Sequence, residues 1–199
     1  MSNRFRIAIL LVVAVLMTSA CSTLQNSQLT PSIDVQYPEQ NRIRFSGKGS
    51  GAGMMLMSSM GPMGVAVGVA IDEGIGKDIQ SVADAQNIQL TPHIEKAFRD
   101  WVSGQETLFG KSVVLKIERY GFITQPGSND PVTAEIKLQY SSDQSQWTTI
   151  NFPKDFNGEA DIPVAPLDVI KTDGQVIESL FVEALDVLFG NLTQVSGSL

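Results

Sequence analysis

Between Lys48 and Asp72 the chain carries no charged residue. This run, Gly49 to Ile71, restricts the fold more than any other stretch. About 23 consecutive uncharged, largely apolar residues must find cover in a core, in a membrane or against another copy. It holds five of the seven methionines (Met54, Met55, Met57, Met60 and Met63) and six glycines (Gly49, Gly51, Gly53, Gly61, Gly64 and Gly68). Its length would suffice for a membrane span, which needs about 20 residues. Pro62 divides it and suits the first position of a helix. Beyond that proline, Gly64 and Gly68 form a G-x-x-x-G step, and Ala66 and Ala70 a second small pair. Such spacing lets helices approach closely. The same residues also alternate, with Val65, Val67, Val69 and Ile71 on one side, as in a strand. Helix is favoured, because the apolar spacing continues through Ile75, Ile79 and Val82. Gly74 and Gly76 weaken that helix by about 1 kcal/mol each.

The N-terminus supplies a second constraint. Arg4 and Arg6 precede an unbroken apolar stretch from Ile7 to Met17, followed by the small residues Thr18, Ser19 and Ala20 and then Cys21. A charged start, a short apolar region and a small-residue cleavage site make an export signal. The apolar part is too short to serve as a spanning helix. Cys21 is the sole cysteine. Its setting, Leu16-Met-Thr-Ser-Ala-Cys21, resembles the lipobox of bacterial lipoproteins, with Thr18 where that pattern most often has Leu. The resemblance implies diacylglycerol on the Cys21 thiol, cleavage before it, and acylation of the new N-terminus. Ser22, rather than Asp, after the cysteine implies anchoring in the outer membrane of a Gram-negative cell, with the domain facing the periplasm. Each buried CH₂ of the acyl chains would contribute about 0.8 kcal/mol, which makes such anchoring stable. The 49–71 run is also loosely similar, in composition, to the glycine-zipper stretches of outer-membrane lipoproteins.

Composition narrows the partners. The two leader arginines removed from the chain's 14 basic residues leave 12 against 21 acidic, a net charge of about −9. That argues against nucleic acid, which demands a basic footprint, and against a polybasic membrane-docking patch. With Cys21 acylated no thiol remains for a disulfide or a metal. Stability must come from packing, for which 179 mature residues suffice.

In chain order, residues 1–20 read as the leader and 21–40 as a polar tether with Pro31 and Pro38. Residues 41–90 combine a short strand (Arg42, Ile43, Arg44, Phe45) with the apolar run. Residues 91–192 read as an α+β domain, and 193–199 as a tail. Thr91-Pro92 predicts a capped helix start, and Ile94, Ala97, Phe98, Trp101 and Val102 form one stripe, closed by Gly104. Val113, Leu115 and Ile117 alternate in a strand running towards Ile123, followed by a turn at Gln125–Pro131. Ala134, Ile136, Leu138 and Tyr140 alternate in a second strand, and Trp147–Phe152 make a third. Short loops between them predict an antiparallel three-stranded meander. Pro153–Pro166 is irregular. Thr172-Asp-Gly-Gln175 reads as a capping box for a helix that presents Val176, Ile177, Leu180, Phe181, Ala184, Leu185 and Leu188 and stops at Gly190-Asn191. Two amphipathic helices on one face of that meander would make a two-layer sandwich.

Chemistry is sparse. His93 is the sole histidine and reads as a partly exposed helix-start residue: alone it cannot make a His-based zinc site, and a Ser-His-Asp triad would need it as base, with no G-x-S-x-G elbow to accompany it. Asp72, Glu73 and Asp78 read as a solvated helix face. Gly47–Gly53 lacks the order of a phosphate loop. No catalytic residue, metal site or cofactor is expected. The reading is a non-enzymatic, acyl-anchored envelope lipoprotein acting as a binding or assembly module. Its partners are the membrane through the acyl chains of Cys21, and envelope proteins or further copies of itself. Gly64, Gly68, Met54, Met55, Met57 and Met60 would supply the membrane or self-association surface. The alternative is a periplasmic carrier of a lipid or other apolar ligand, with the methionines lining its pocket.

Overall fold

A computed structural model describes residues 30–124, 131–156 and 161–196. The leader, Cys21 and the first part of the tether lie outside the described residues, as do residues 125–130 of the expected turn, Gly158 and the last three tail residues. Residues 31–199 form one compact unit. Among the described residues there are five strands and five helices: β1 (Ser32–Gln36), β2 (Arg44–Ser46), α1 (Lys48–Met60), α2 (Pro62–Ala85), α3 (Thr91–Ser103), β3 (Ser112–Thr124), β4 (Val132–Ser141), β5 (Thr148–Phe152), α4 (Leu167–Ile170) and α5 (Gly174–Ser196).

The chain is α+β, but its sheet is not a three-stranded meander. β3, β4 and β5 pair antiparallel as the short loops require, and two more strands join them. β1 pairs with the first part of β3 and β2 with its last part, both parallel and along the same edge. The sheet is therefore mixed. β1 comes from residues expected to be tether: Ile33 and Val35 alternate with polar neighbours and pack against the core, while the outer side stays open. An edge strand needs no more apolar character than this, which is why composition alone conceals it.

A β-bulge between Ile117 and Arg119 governs which residues of β3 face inward. Before it Val113, Leu115 and Ile117 are buried; after it Tyr120 and Phe122 are. Glu118 and Arg119 consequently both reach the polar face, where they pair with Lys137 and Glu135 of β4 at 2.7 and 2.9 Å. One extra residue thus reverses the in–out phase of the strand. Gly121 follows with φ +152°, and a Cβ there would lie 1.9 Å from the carbonyl oxygen of Arg44. Only glycine lets β2 run that close.

Helices cover the apolar face. Phe98 and Trp101 of α3 stack with Tyr140 of β4 and Phe189 of α5 at ring separations of 5.3 to 6.1 Å. Phe181 of α5 meets Tyr120 and Phe122 edge-on. The expected stripes of α3 and α5 are the buried ones, and Ile75, Ile79 and Ala83 of α2 complete the core. Burying each such side chain contributes about 1.5–3 kcal/mol. The helix ends differ in detail from expectation. Thr91 is the first residue of α3 and caps nothing, and Leu90 precedes it as the cap residue. At α5 the side chain of Asp173, not Thr172, accepts the Gln175 N–H at 2.9 Å. α5 also continues past Gly190 and Asn191 to Ser196. Asn191 donates its side-chain amide to the Val187 carbonyl at 2.8 Å, bonding back onto the helix instead of ending it.

Candidate functional site

α2 is the element that builds the site. Its 24 residues make a rod of about 36 Å. The second half is locked in the core by Ile75, Ile79 and Ala83, so the first half projects, and α1 folds back along it. The uncharged run is therefore a helical hairpin. Gly61 turns it, with φ +59° and its N–H bonded to the Met57 carbonyl at 2.9 Å. Pro62 occupies the start of α2, as the sequence predicts.

Gly64 and Gly68 lie buried in the seam between α1 and α2. A Cβ on Gly68 would stand 2.3 Å from the Gly49 carbonyl oxygen, and one on Gly64 would stand 2.5 Å from the backbone of Leu56 and Met57. The small faces expected to meet lipid or a sister copy are thus spent inside the chain, backbone against backbone. The opposite faces are open. Met54 and Met55 are 72 % and 81 % exposed, and Met57, Met60, Met63, Val65 and Val69 are exposed with them. The methionines named from the sequence gather on one projection; the glycines behind them set its thinness.

The hairpin's polar groups are satisfied from within. Ser58 and Ser59 donate their hydroxyls to the carbonyls of Met55 and Leu56, at 2.7 and 3.2 Å. Ser50 does the same to Gly47 at 2.6 Å. At the base, Asp72 of α2 accepts the N–H groups of Gly47 and Gly49 at 3.1 and 2.6 Å. A carboxylate there satisfies two of the orphan donors at the start of α1 and complements the helix dipole. The sequence places Asp72 on a solvated face; nothing local signals a cap contributed from 23 residues away in the chain. Its neighbours are also committed: Glu73 to Arg42 at 2.8 Å, and Asp78 to Lys171 at 2.7 Å. The Arg42 guanidinium, bonded to Glu73, holds that carboxyl below the usual carboxylate range.

His93 pairs with Glu178 at 2.9 Å, joining α3 to α5. Among the described residues no helix is long and apolar enough to cross a membrane, and no group of three His, Cys, Asp or Glu side chains could hold a metal ion. No protein-family model, curated protein or solved structure matches the chain.

Proposed function

We propose that this chain is a non-enzymatic envelope lipoprotein, acyl-anchored at Cys21 in the outer membrane, whose two-layer α+β module touches the lipid leaflet through its α1–α2 hairpin. The observation that carries the reading is the hairpin itself: an uncharged projection, apolar on its exposed faces, whose hydroxyls are turned onto its own carbonyls. Lipid demands that backbone and hydroxyl groups be bonded internally, and water does not. Its dimensions fit. Pro62 to Ile71 rises about 15 Å, the depth of one leaflet of a hydrocarbon core of about 30 Å. Lys48, Asp72 and Glu73 would then mark the headgroup level. The anchor suits the same picture, because the eleven steps of chain from Cys21 to Ser32 can span at most about 40 Å.

The test uses residues 22–199, which keep the compact unit whole and lack both leader and acylation site. We expect this protein to float with phosphatidylcholine vesicles, and Met54→Glu with Met55→Glu to abolish flotation without moving the urea midpoint, since both side chains are exposed. A wild-type protein that ignores vesicles and forms a dimer or larger species in sedimentation would replace leaflet contact by self-association. A monomer that ignores vesicles and takes up a fluorescent fatty acid would favour the carrier. For the anchor, Cys21→Ser in cells should abolish radioactive palmitate labelling and leave the precursor uncleaved; equal labelling of both proteins would end the lipoprotein reading.

A further inference from the structure

Beside the base of the hairpin lies a cleft of about 540 Å³, walled by β2 and its approach on one side, α2 on the other, and Arg119 of β3. Its charge is opposite to that of the chain. Arg42, Arg44, Lys77 and Arg119 line it against two acids, Asp72 and Glu73, in a protein where acids outnumber bases 21 to 14. The acids are occupied. Both oxygens of Asp72 hold the Gly47 and Gly49 amides, and Glu73 holds Arg42. Arg44 and Lys77 stand near enough to Glu73 to add to Arg42 in lowering its pKa, yet neither makes an ion pair with it among the described residues. Arg44 has only a 3.4 Å contact with the Gln40 side-chain oxygen. Lys77 is exposed on α2 and forms no ion pair among the described residues. Arg119 gives one donor to Glu135, of the five a guanidinium carries.

A second cavity adjoins the first. A groove of about 320 Å³ follows the α1–α2 seam between Met54, Met57, Val65 and Val69. Val69 and Asp72 belong to both walls. A cationic cleft that shares Val69 and Asp72 with an apolar groove matches a ligand built the same way: an anionic head joined to an alkyl chain. We propose that the cleft binds the headgroup of an anionic phospholipid, a phosphodiester with no choline cation to balance it, with one acyl chain lying along the groove. The site takes a lipid of the leaflet that the hairpin enters, so the inference rests on the leaflet reading above. The chain's overall negative charge disfavours a broad polybasic patch; it does not disfavour four cations facing two acids across one cleft.

The experiment compares residues 22–199 on vesicles of phosphatidylcholine alone and of phosphatidylcholine with three parts in ten phosphatidylglycerol. Removing two near-surface cations at about fivefold each predicts that Arg44→Gln with Lys77→Gln weakens binding to the anionic vesicles about 25-fold and leaves binding to the neutral ones unchanged. The pair Lys111→Gln with Lys116→Gln, exposed cations outside the cleft, should change neither by more than about twofold. Equal wild-type affinity for the two vesicle types, still abolished by Met54→Glu with Met55→Glu, would overturn the headgroup site and leave leaflet contact standing. Equal losses from the cleft pair and the control pair would overturn it as well, reducing it to general surface attraction. No binding to either vesicle would remove the leaflet reading, and the site with it. Should the double variant shift the urea midpoint, Lys77→Gln alone carries the test, with an expected loss of about fivefold.

Discussion

Tyr120 is the residue just after the β3 bulge, and its hydroxyl donates to the Asn41 side chain at 2.9 Å. Burial, together with the charge of Asp84, pushes its pKa up from 10 to about 12. Between those values the folded state keeps a proton that the unfolded chain has released, so stability must fall as pH rises from about 10 to 12. The urea midpoint of the wild type should drop across that window more steeply than that of Tyr120→Phe, which has nothing there to ionise; parallel curves would show that the hydroxyl is solvated. Elsewhere in the core, Trp101→Ala and Leu138→Ala should each cost about 2–5 kcal/mol, read as lowered urea midpoints. Both positions were legible, because each lies on an unbroken apolar stripe. The inward place of Tyr120 was not. Strict alternation from Val113 puts residue 120 on the outer face, and only the extra residue at Glu118 reverses it. A bulge has no reliable local signature in sequence; it is chosen by pairing with β4.

At the scale of elements, α3 and α5 followed from their stripes, the hairpin followed in part, and the short α4 was not read. Pro62 gave the start of α2, and the spacing of Ile75 and Ile79 gave its buried half. What could not be read was the partner of the small faces. A G-x-x-x-G step reports that a helix is approached closely, and the approaching chain can be lipid-embedded, a second copy or the preceding helix. Here it is α1, delivered by the turn at Gly61. Gly68→Leu therefore tests the seam. A side chain beginning 2.3 Å from the Gly49 carbonyl oxygen must lift α1 away. We expect amide exchange throughout α1 to accelerate while the urea midpoint of the remaining domain stays put, since α1 packs on α2 and contributes little to the core. A midpoint lowered by about 1–3 kcal/mol of overpacking would instead make the hairpin part of the cooperative unit.

For the whole molecule, the α+β class was legible and the sheet was not. Local alternation found β3, β4 and β5, which neighbour one another in sequence. It missed β1 because a parallel edge strand draws its partner from far away and offers no turn to announce the pairing. Ser32 sits opposite Ser112, 80 positions later in the chain. That separation has a kinetic meaning. Closing a loop of this length is entropically slow beside forming hairpins, so a chain assembled this way should complete its antiparallel part first. In pulse-labelled hydrogen exchange during refolding, amides shared by β3 and β4 should gain protection before those of β1; simultaneous protection would refute that order. If the chain is exported as proposed, its N-terminal end emerges first and β1 waits for residue 112 to follow. The β1 edge of the sheet would then be the last to close, and on the proposed reading the modification of Cys21 would have that interval before the domain is finished.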